Sequence, residues 1–303
     1  MKLSYALNTQ NLITANAPIG TRLKYDYGFN ASYDLTHDEH SRKILIDLLK
    51  GDALEAAKHN TPIILNAATY RANRNHLEYN GISAFDEIER VNINNLKLVI
   101  ELVNELGQRD QIIIGAPLGS MFDAYSTYNT LDVYNSYLYH KEQIDIFQKQ
   151  PIDFINAVTL PTLPEATGIA MACDESNIEY TVGFILTDKG LLLDGTSLKD
   201  AIIAIDNATR NKPVGYMVTC THASVLKLID LTDIPKGRLI GLQANGSCLK
   251  LSDLEKLDRP LADEPAFFAD ELDKLKKRLK LLIISGCCGT TRNHLSNILE
   301  KCS

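Results

Sequence analysis

Short apolar runs alternate with longer segments of helical period along the whole chain. The runs are rich in Ile and Val, as is typical of strands buried on both faces. The predicted strands are Asn11–Ala15, Pro62–Ala67, Gln111–Ala116, Ile152–Thr159, Tyr180–Leu186, Val214–Cys220, Arg238–Gln243 and Leu279–Ser285. Between them apolar residues recur every three or four positions. The predicted helices are Asp38–His59, Ala84–Leu106, Leu131–Gln148, Leu163–Ser176, Leu198–Asn211, Ala223–Ile229, Pro265–Lys277 and His294–Lys301.

This alternation gives eight strand–helix units, which predict an α/β protein with a parallel sheet. Eight units indicate closure of that sheet into a (β/α)8 TIM barrel. No linker rich in Pro, Gly or Ser divides the chain, so we expect residues 1–303 to form one barrel domain. A doubly wound open sheet is the alternative, placed second because no Gly-rich dinucleotide-binding loop follows the first strand.

Composition narrows the classes of partner and compartment. The formal net charge is −7 and the basic residues are scattered, which argues against nucleic acid or an anionic membrane as partner. No apolar span is long enough to cross a bilayer, and Met1–Thr14 has no hydrophobic signal core, so we expect a cytoplasmic protein. There are 6 cysteines and no CxxC pair, and in that compartment we expect reduced thiols. A homo-oligomer is compatible with the sequence.

Two adjacent cysteines, Cys287 and Cys288, stand between glycines just after the last predicted strand. Neighbouring side chains of a strand point to opposite faces, so both thiols can converge only if the chain leaves strand geometry there. Such a pair suits zinc, or it fills the core, and the pair alone favours neither interpretation. Cys220 ends the sixth predicted strand, on the same barrel rim. The position of the three cysteines therefore favours a metal site.

Several short segments resemble one known family over nearly the full length of the chain. The most specific is Gly286-Cys287-Cys288-Gly289-Thr290-Thr291 with His294 following, and Cys220 matches a cysteine that follows strand six. The other matching segments are Thr69-Tyr70-Arg71-Ala72, Gly115-Ala116-Pro117-Leu118-Gly119 and Asp194-Gly195-Thr196-Ser197-Leu198. On these motifs the chain is identified as a member of the homocysteine S-methyltransferase family.

The resemblance implies that Cys220, Cys287 and Cys288 are the catalytic metal ligands and hold Zn²⁺. The thiol substrate would supply the fourth ligand, because zinc keeps a bound thiol deprotonated and nucleophilic. That sulfur would take the methyl group of an onium donor such as S-methylmethionine or S-adenosylmethionine. With homocysteine as acceptor the product is methionine, which implies a role in methionine biosynthesis. No cobalamin or folate module is expected.

The resemblance also places five residues at the substrates: Asn16, Thr21, Tyr70, Thr159 and Thr219. A tyrosine ring can hold an onium cation, and Tyr70 is placed by its motif to do so. Tyr125 is a weaker candidate, for which packing at the barrel rim is the preferred interpretation.

Three positions depart from the family pattern. Asn16 replaces an Asp and Val158 replaces a Glu, two carboxylates that help to hold the ammonium group of homocysteine in the family; Thr219 replaces an Asn. Losing both charges should weaken an ammonium substrate, since charged hydrogen bonds contribute about 1.5–3 kcal/mol each. Two alternatives therefore remain: a methyltransferase for a different thiol, or a zinc- or thiol-binding barrel that does not turn its ligand over.

Other chemically suggestive residues are given structural roles. Glu165 is interpreted as a helix glutamate favoured by the helix dipole, although it could replace the missing carboxylate. His222 and His294 are assigned to the helices that follow the cysteines. The remaining cysteines are not assigned to the metal: Cys173 on a helix face, Cys248 in a loop and Cys302 at a frayed terminus.

Overall fold

The computed structural model describes residues 1–28, 35–229, 233–249 and 261–303. Eight parallel strands follow one another in chain order, and a bridge between Ile13 and Ile283 joins the last strand to the first. The strands are β1 (Thr14–Ala15), β2 (Ile63–Asn66), β3 (Ile112–Leu118), β4 (Phe154–Leu160), β5 (Glu179–Phe184), β6 (Gly215–His222), β7 (Leu239–Asn245) and β8 (Ile283–Gly286). Each overlaps a predicted strand, and the predicted (β/α)8 barrel is confirmed.

Helices surround the barrel, with one or more after most strands. The described residues form α1 (Leu3–Thr9), α2 (Ile19–Tyr27), α3 (Glu39–Lys58), α4 (Arg74–Tyr79), α5 (Ala84–Leu106), α6 (Val133–Phe147), α7 (Leu163–Asp174), α8 (Leu198–Ala208), α9 (Ala223–Leu228), α10 (Pro265–Leu279) and α11 (Arg292–Cys302). The eight predicted helices are confirmed to within a few residues. Several begin where a side chain accepts a hydrogen bond from the first turn, as Asp38 does from the backbone N–H of Ser41.

Helices α1, α2 and α4 were not predicted from the sequence. In α1 only Leu3 and Ala6 are buried, and the polar residues between them hide the helical period. These two side chains close the lower end of the barrel, where they meet inward-facing residues of the strands. The residues of this lower layer are Ile13, Ala15, Ile64, Ile113, Phe154, Met217, Ile240 and Ile283.

Two predicted boundaries near the C-terminus are wrong. Leu279 ends α10 and does not begin a strand, because Lys280 adopts a left-handed conformation that terminates the helix. The apolar character of Leu279 reflects its packing against the core between strands and helices. Cys302 is not at a frayed end: it is the last residue of α11 and only 1% exposed.

None of the helices within the described ranges is both long enough and apolar enough to cross a bilayer.

Candidate metal centre at the barrel rim

Three cysteine sulfurs meet at the upper end of the barrel. The sulfur atoms of Cys220, Cys287 and Cys288 all lie within 4.8 Å of one another. Around a tetrahedral zinc ion with Zn–S bonds of about 2.3 Å, neighbouring sulfurs are about 3.8 Å apart. The three cysteines therefore have the donor type of a zinc site and lie close enough together to share one ion. This is the cluster of cysteines that the sequence predicted.

The chain leaves strand geometry between the paired cysteines, as the sequence required. Strand β8 ends at Gly286, and the backbone N–H of Thr290 donates back to the carbonyl of Cys287 over 3.1 Å. Gly289 adopts φ 85°, a conformation that L side chains rarely adopt. A Cβ at Gly286 would overlap the Thr290 side chain, which folds back onto this turn. The glycines thus permit the tight turn that brings both thiols to one place.

Cys220 reaches the same place through a distortion of β6. It has φ 51°, and the register between β6 and β7 shifts between Thr219 and Thr221. Thr159 on β4 has φ 59° and lies at a similar shift between β4 and β5. Positive φ is a genuine outlier for a β-branched residue, and such strain clusters at functional sites. The two irregular positions meet, since the Thr159 hydroxyl donates to the Cys220 sulfur over 3.3 Å.

Cys220 and Cys287 are joined by a disulfide in this structure, with Cα atoms 5.6 Å apart, while Cys288 is a free thiol. The expectation of reduced thiols in the cell stays a prediction. A fold that brings two cysteines to one ion also brings them within disulfide reach, for which a Cα separation near 5.5–6 Å is usual. Only the reduced pair can ligate a metal, because the ligand is the thiolate.

Two tyrosines lie near Cys288. Burial raises the pKa of Tyr70 to about 12, and its hydroxyl lies beside Thr159. Burial also raises the pKa of Tyr125, whose hydroxyl lies beside Cys288 and Asn245. Both side chains therefore stay neutral near pH 7 and lie close to the Cys288 sulfur. The preference for simple rim packing at Tyr125 missed this contact, because its loop position carried no strand or motif signal.

One cation lies close to the cluster. Burial raises the pKa of the Cys288 thiol, and the nearby guanidinium of Arg71 acts in the opposite direction. The same positive charge opposes the rise in the pKa of Tyr70. Arg71 is exposed, and its side chain forms no ion pair within the described residues.

The residues predicted to bind substrate fall into two groups. Thr21, Tyr70, Thr159 and Thr219 lie around the cysteines. Thr21 receives a long hydrogen bond of 3.4 Å from the Gly289 N–H, and the Thr219 hydroxyl accepts one of 2.8 Å from the Thr159 N–H. Asn16 is different: its side-chain oxygen accepts from the Asn66 N–H over 2.8 Å, and its amide group donates to the carbonyl of Ala17.

The two positions that lack the family's carboxylates are therefore weak partners for an ammonium group. Asn16 is 4% exposed and uses both ends of its side chain on the backbone. Val158 is 8% exposed and apolar. Glu165 is buried at the start of α7, where its Oε1 accepts from the Met121 N–H and contacts His140 Nε2 over 3.1 Å. Its interpretation as a simple helix-dipole glutamate was incomplete, since it also ties α6 and the loop after β3 to α7.

The histidines near the cysteines have structural roles, as predicted. His222 caps α9 by accepting from the Ser224 N–H, and its Nε2 contacts Asp263 over 3.1 Å. His294 forms a capping box with Thr291 at the start of α11. Cys173 is buried in α7 and Cys248 is exposed in a loop, and neither belongs to the cluster.

Two polar residues of β7 near the cluster were not identified from the sequence. Asn245 donates to the carbonyl of Cys220 over 2.9 Å and so supports its strained backbone. Gln243 is half-buried and pairs in register with Thr219 on one side and Ser285 on the other. An alternation of small and polar residues from Gly241 to Asn245 was the available signal, because every second residue of a barrel strand faces inward.

Comparison with known proteins points to one family. The family model for homocysteine S-methyltransferase matches residues 21–302. The chain is similar to the Escherichia coli homocysteine methyltransferase MmuM in its metallated form, with 17% identity, a TM-score of 0.71 and 98% of each chain covered. The oxidized form of MmuM matches with 18% identity, a TM-score of 0.71 and 96% of each chain covered. No curated protein sequence gave a significant match.

A structure with different chemistry shares the architecture. The β-mannanase of the blue mussel Mytilus edulis is 9% identical, with a TM-score of 0.50 over 95% of this chain and 90% of that one. At these identities a structural likeness establishes the barrel alone. The family assignment therefore rests on the match across residues 21–302.

Proposed function

The chain belongs to the homocysteine S-methyltransferase family, and on that premise we propose that it transfers a methyl group from an onium donor to the thiol of homocysteine, giving methionine. The donor class is a sulfonium such as S-methylmethionine or S-adenosylmethionine. The single observation that carries the proposal is the convergence of Cys220, Cys287 and Cys288 at the barrel rim. The reaction needs these thiols reduced, a state that the cytoplasm maintains.

We assign Cys220, Cys287 and Cys288 as the ligands of a zinc ion, which their spacing fits. A zinc ion held by these three cysteines would keep an incoming acceptor thiol deprotonated and therefore nucleophilic. In the transfer, the acceptor sulfur forms a bond to the methyl carbon. The bond from that carbon to the donor sulfonium breaks, and its electron pair stays on the donor sulfur. A neutral thioether leaves, and the acceptor becomes a methyl thioether.

The tyrosines supply the other half of the site. A sulfonium cation is stabilised by the faces of aromatic rings, and Tyr70 and Tyr125 present rings close to Cys288. Holding donor and acceptor in line between rings and sulfurs is the main contribution that these residues make to the rate.

A second candidate is the same transfer to a different thiol. It is favoured by the chemistry of two positions. Both polar groups of the Asn16 side chain are hydrogen-bonded to the backbone, and Val158 is apolar. Thr219 is likewise committed to the Thr159 N–H. The sulfur chemistry is common to both candidates, and the identity of the acceptor separates them.

Zinc content and methyl transfer test the proposal together. Reduced protein loaded with zinc should hold about one ion per chain by elemental analysis and should methylate a small thiol with S-methylmethionine as donor. Cys287→Ser should remove the ion and lower the rate at least 1,000-fold, roughly the loss of 4 kcal/mol of transition-state stabilisation. Cys248→Ser changes an exposed thiol outside the cluster and should leave both unchanged.

Three results would contradict the metal centre or the methyl transfer. Reduced protein that does not retain zinc contradicts the metal centre. Zinc-loaded protein that binds thiols tightly but methylates none contradicts transfer and supports a non-catalytic binding barrel. Retention of zinc by Cys287→Ser would show that the ligands lie elsewhere.

A further inference from the structure

One buried carboxylate joins three segments of the chain that are far apart in sequence. Asp52 lies within α3 and is 0% exposed. It accepts hydrogen bonds from the guanidinium of Arg22 over 2.8 and 2.9 Å and from Nε of Arg292 over 2.9 Å. It also accepts from the N–H of Ala17, in the loop after β1, over 3.0 Å. The loop after β1, α2 and α11 are therefore all fastened to α3 at this one side chain.

Both arginines belong to segments that meet at Cys288. Arg22 directly follows Thr21 on α2, and the Thr21 hydroxyl lies beside the Cys288 sulfur. Arg292 is the first residue of α11, which begins at the end of the turn that carries Cys288. Asp52 thus ties together the two pieces of backbone that flank the Cys288 sulfur.

Helix α3 leaves a space into which the guanidinium of Arg292 fits. A Cβ atom at Gly51 would overlap that guanidinium, so the space exists because this residue is a glycine. Nη2 of Arg292 donates there to the carbonyls of Leu48 and Asp47 over 3.1 and 3.4 Å, while Nε reaches Asp52. A glycine inside a helix weakens the helix relative to alanine. The chain therefore has a weaker helix at the place where Arg292 docks.

This network of Arg22, Asp52 and Arg292 is an expensive source of stability. The side chains of Asp52 and Arg22 are 0% and 3% exposed, so both charges have lost most of their hydration. Apolar residues of the same size often stabilise a fold as well as a buried ion pair does, because the pair must first be desolvated. Hydrogen bonds are directional, however, and allow only a narrow range of arrangements of the segments that they join. The position of these segments is therefore the property that best explains the network.

We propose that Asp52 is a positioning residue of the metal centre, which keeps Cys288 in place as a ligand by fastening α2 and α11 to α3. Residues that orient a metal ligand without binding the metal typically change the metal affinity about 10–100-fold when their contacts are removed. The inference rests on the proposed function in taking Cys288 as a metal ligand, and it does not assume that a methyl group is transferred.

A change beside the network separates position from stability. Replacing Asp52 itself would leave two guanidiniums without their carboxylate and destabilise the whole fold. Gly51→Ala instead displaces the guanidinium of Arg292 and removes no charge. Because alanine strengthens the helix, the melting temperature should fall by no more than about 3 °C. The zinc affinity of the reduced protein, measured by competition with a chelator, should nevertheless fall at least about tenfold.

Two arginine substitutions provide a matched pair. Arg292→Met leaves Asp52 paired with Arg22, so this variant should fold. Arg238 pairs with the carboxylate of Asp206 over 2.7 and 2.9 Å, just before β7 at the lower end of the barrel. Arg292→Met and Arg238→Met should both lower the melting temperature. Only Arg292→Met should weaken zinc binding, by about 10–100-fold.

Hydrogen exchange of the reduced, metal-free protein tests the inference without zinc. In the turn that carries Cys288, the N–H of Gly289 donates to Thr21 and the N–H of Thr290 donates to Cys287. These two amides should exchange at least about tenfold faster in the variants at positions 51 and 292, because the turn opens more often. In the control variant at position 238 they should exchange at the wild-type rate.

The possible results distinguish this inference from the proposed function. Wild-type zinc affinity and wild-type exchange in both Gly51→Ala and Arg292→Met overturn the inference. An equal loss of zinc affinity in Arg238→Met also overturns it, since any loss of stability would then disturb the centre. Weaker zinc binding by the first two variants alone supports the inference whether or not the wild type transfers a methyl group. If the wild type retains no zinc, the metal centre of the proposed function fails, and faster exchange of the turn in these variants still supports the hold of Asp52 on it.

Discussion

The lower and upper layers of the barrel interior are built from the same strands and have opposite character. The lower layer is wholly apolar and buried, and α1 closes it with Leu3 and Ala6. The upper layer holds amides, hydroxyls and three thiols. From Ile283 and Ser285 on β8 to Cys287 just beyond it, the side chain changes from an alkyl group to a hydroxyl and then to a thiol. Successive inward-facing positions of one strand thus belong first to the apolar lower layer and then to the polar upper layer.

Backbone geometry differs in the same way. The strands are regular through the lower layer except at Ile240, where the register of β6 and β7 shifts. In the upper layer Thr159 and Cys220 adopt positive φ, and each lies at a further register shift. Strained backbone persists only where surrounding structure holds it in place. The apolar lower layer is the part of the barrel that can supply that support.

The first prediction tests the lower layer. Ile113→Ala removes a fully buried side chain between α1 and the strands and should lower the free energy of unfolding by about 2–5 kcal/mol. Zinc stoichiometry of the folded fraction should stay near one ion per chain, because no ligand is touched. Denaturant unfolding and elemental analysis measure the two quantities.

Ile113→Val is the matched control, with an expected cost of about 0.5–1.5 kcal/mol. Loss of zinc from folded Ile113→Ala protein would break the comparison, since it would show that packing of the lower layer sets the geometry of the ligands.

Much of the fold could be predicted because the strands of a barrel appear in the sequence as short apolar runs. Interior strands such as β3 are buried on both faces, and their Ile-rich sequence reflects that directly. Elements with little apolar surface escaped prediction: α1 buries only Leu3 and Ala6, and α4 buries only Leu77. The boundary at Leu279 failed for a related reason, because a helix end and a buried strand are equally apolar there.

The candidate site was less predictable than the fold. Adjacent cysteines between glycines carry a local signal, and so they could be identified from sequence. Whether Asn16 is free to bind depends on hydrogen bonds to Asn66 and Ala17, which no local pattern encodes. The roles of Tyr125 and Gln243 depend likewise on which side chains meet across the rim.

The second prediction concerns the strain of the upper layer. Thr159→Gly places at φ 59° the one residue that adopts this conformation without steric cost. Relief of strain, of order 1–3 kcal/mol, should offset the entropy of glycine and the lost hydroxyl contact, so stability should stay within about 1 kcal/mol. The rate of methyl transfer should fall about tenfold, because the Thr159 hydroxyl no longer orients Cys220.

Thr159→Ser keeps the hydroxyl and should keep most of the activity. Destabilisation of Thr159→Gly by more than about 2 kcal/mol would show that the position is not strained.

The smallest expected effect is a pH dependence that arises at the rim and has no counterpart in the lower layer. Burial lowers the pKa of His76 on α4 to about 4; the charge of Arg71 acts in the same direction and that of Asp123 opposes it. In the unfolded chain the pKa of histidine is near 6.5, so below that pH the unfolded state binds a proton that the folded state does not. The stability of the folded protein is therefore unaffected by His76 above pH 6.5. It decreases as the pH falls from 6.5 toward about 4, because protons bind the unfolded state more strongly. We therefore expect the melting temperature of the wild type to fall more steeply over this window than that of His76→Gln. Because the side chain is partly exposed, solvent weakens the effect, and identical slopes for the two proteins would show that His76 is as hydrated in the folded as in the unfolded state.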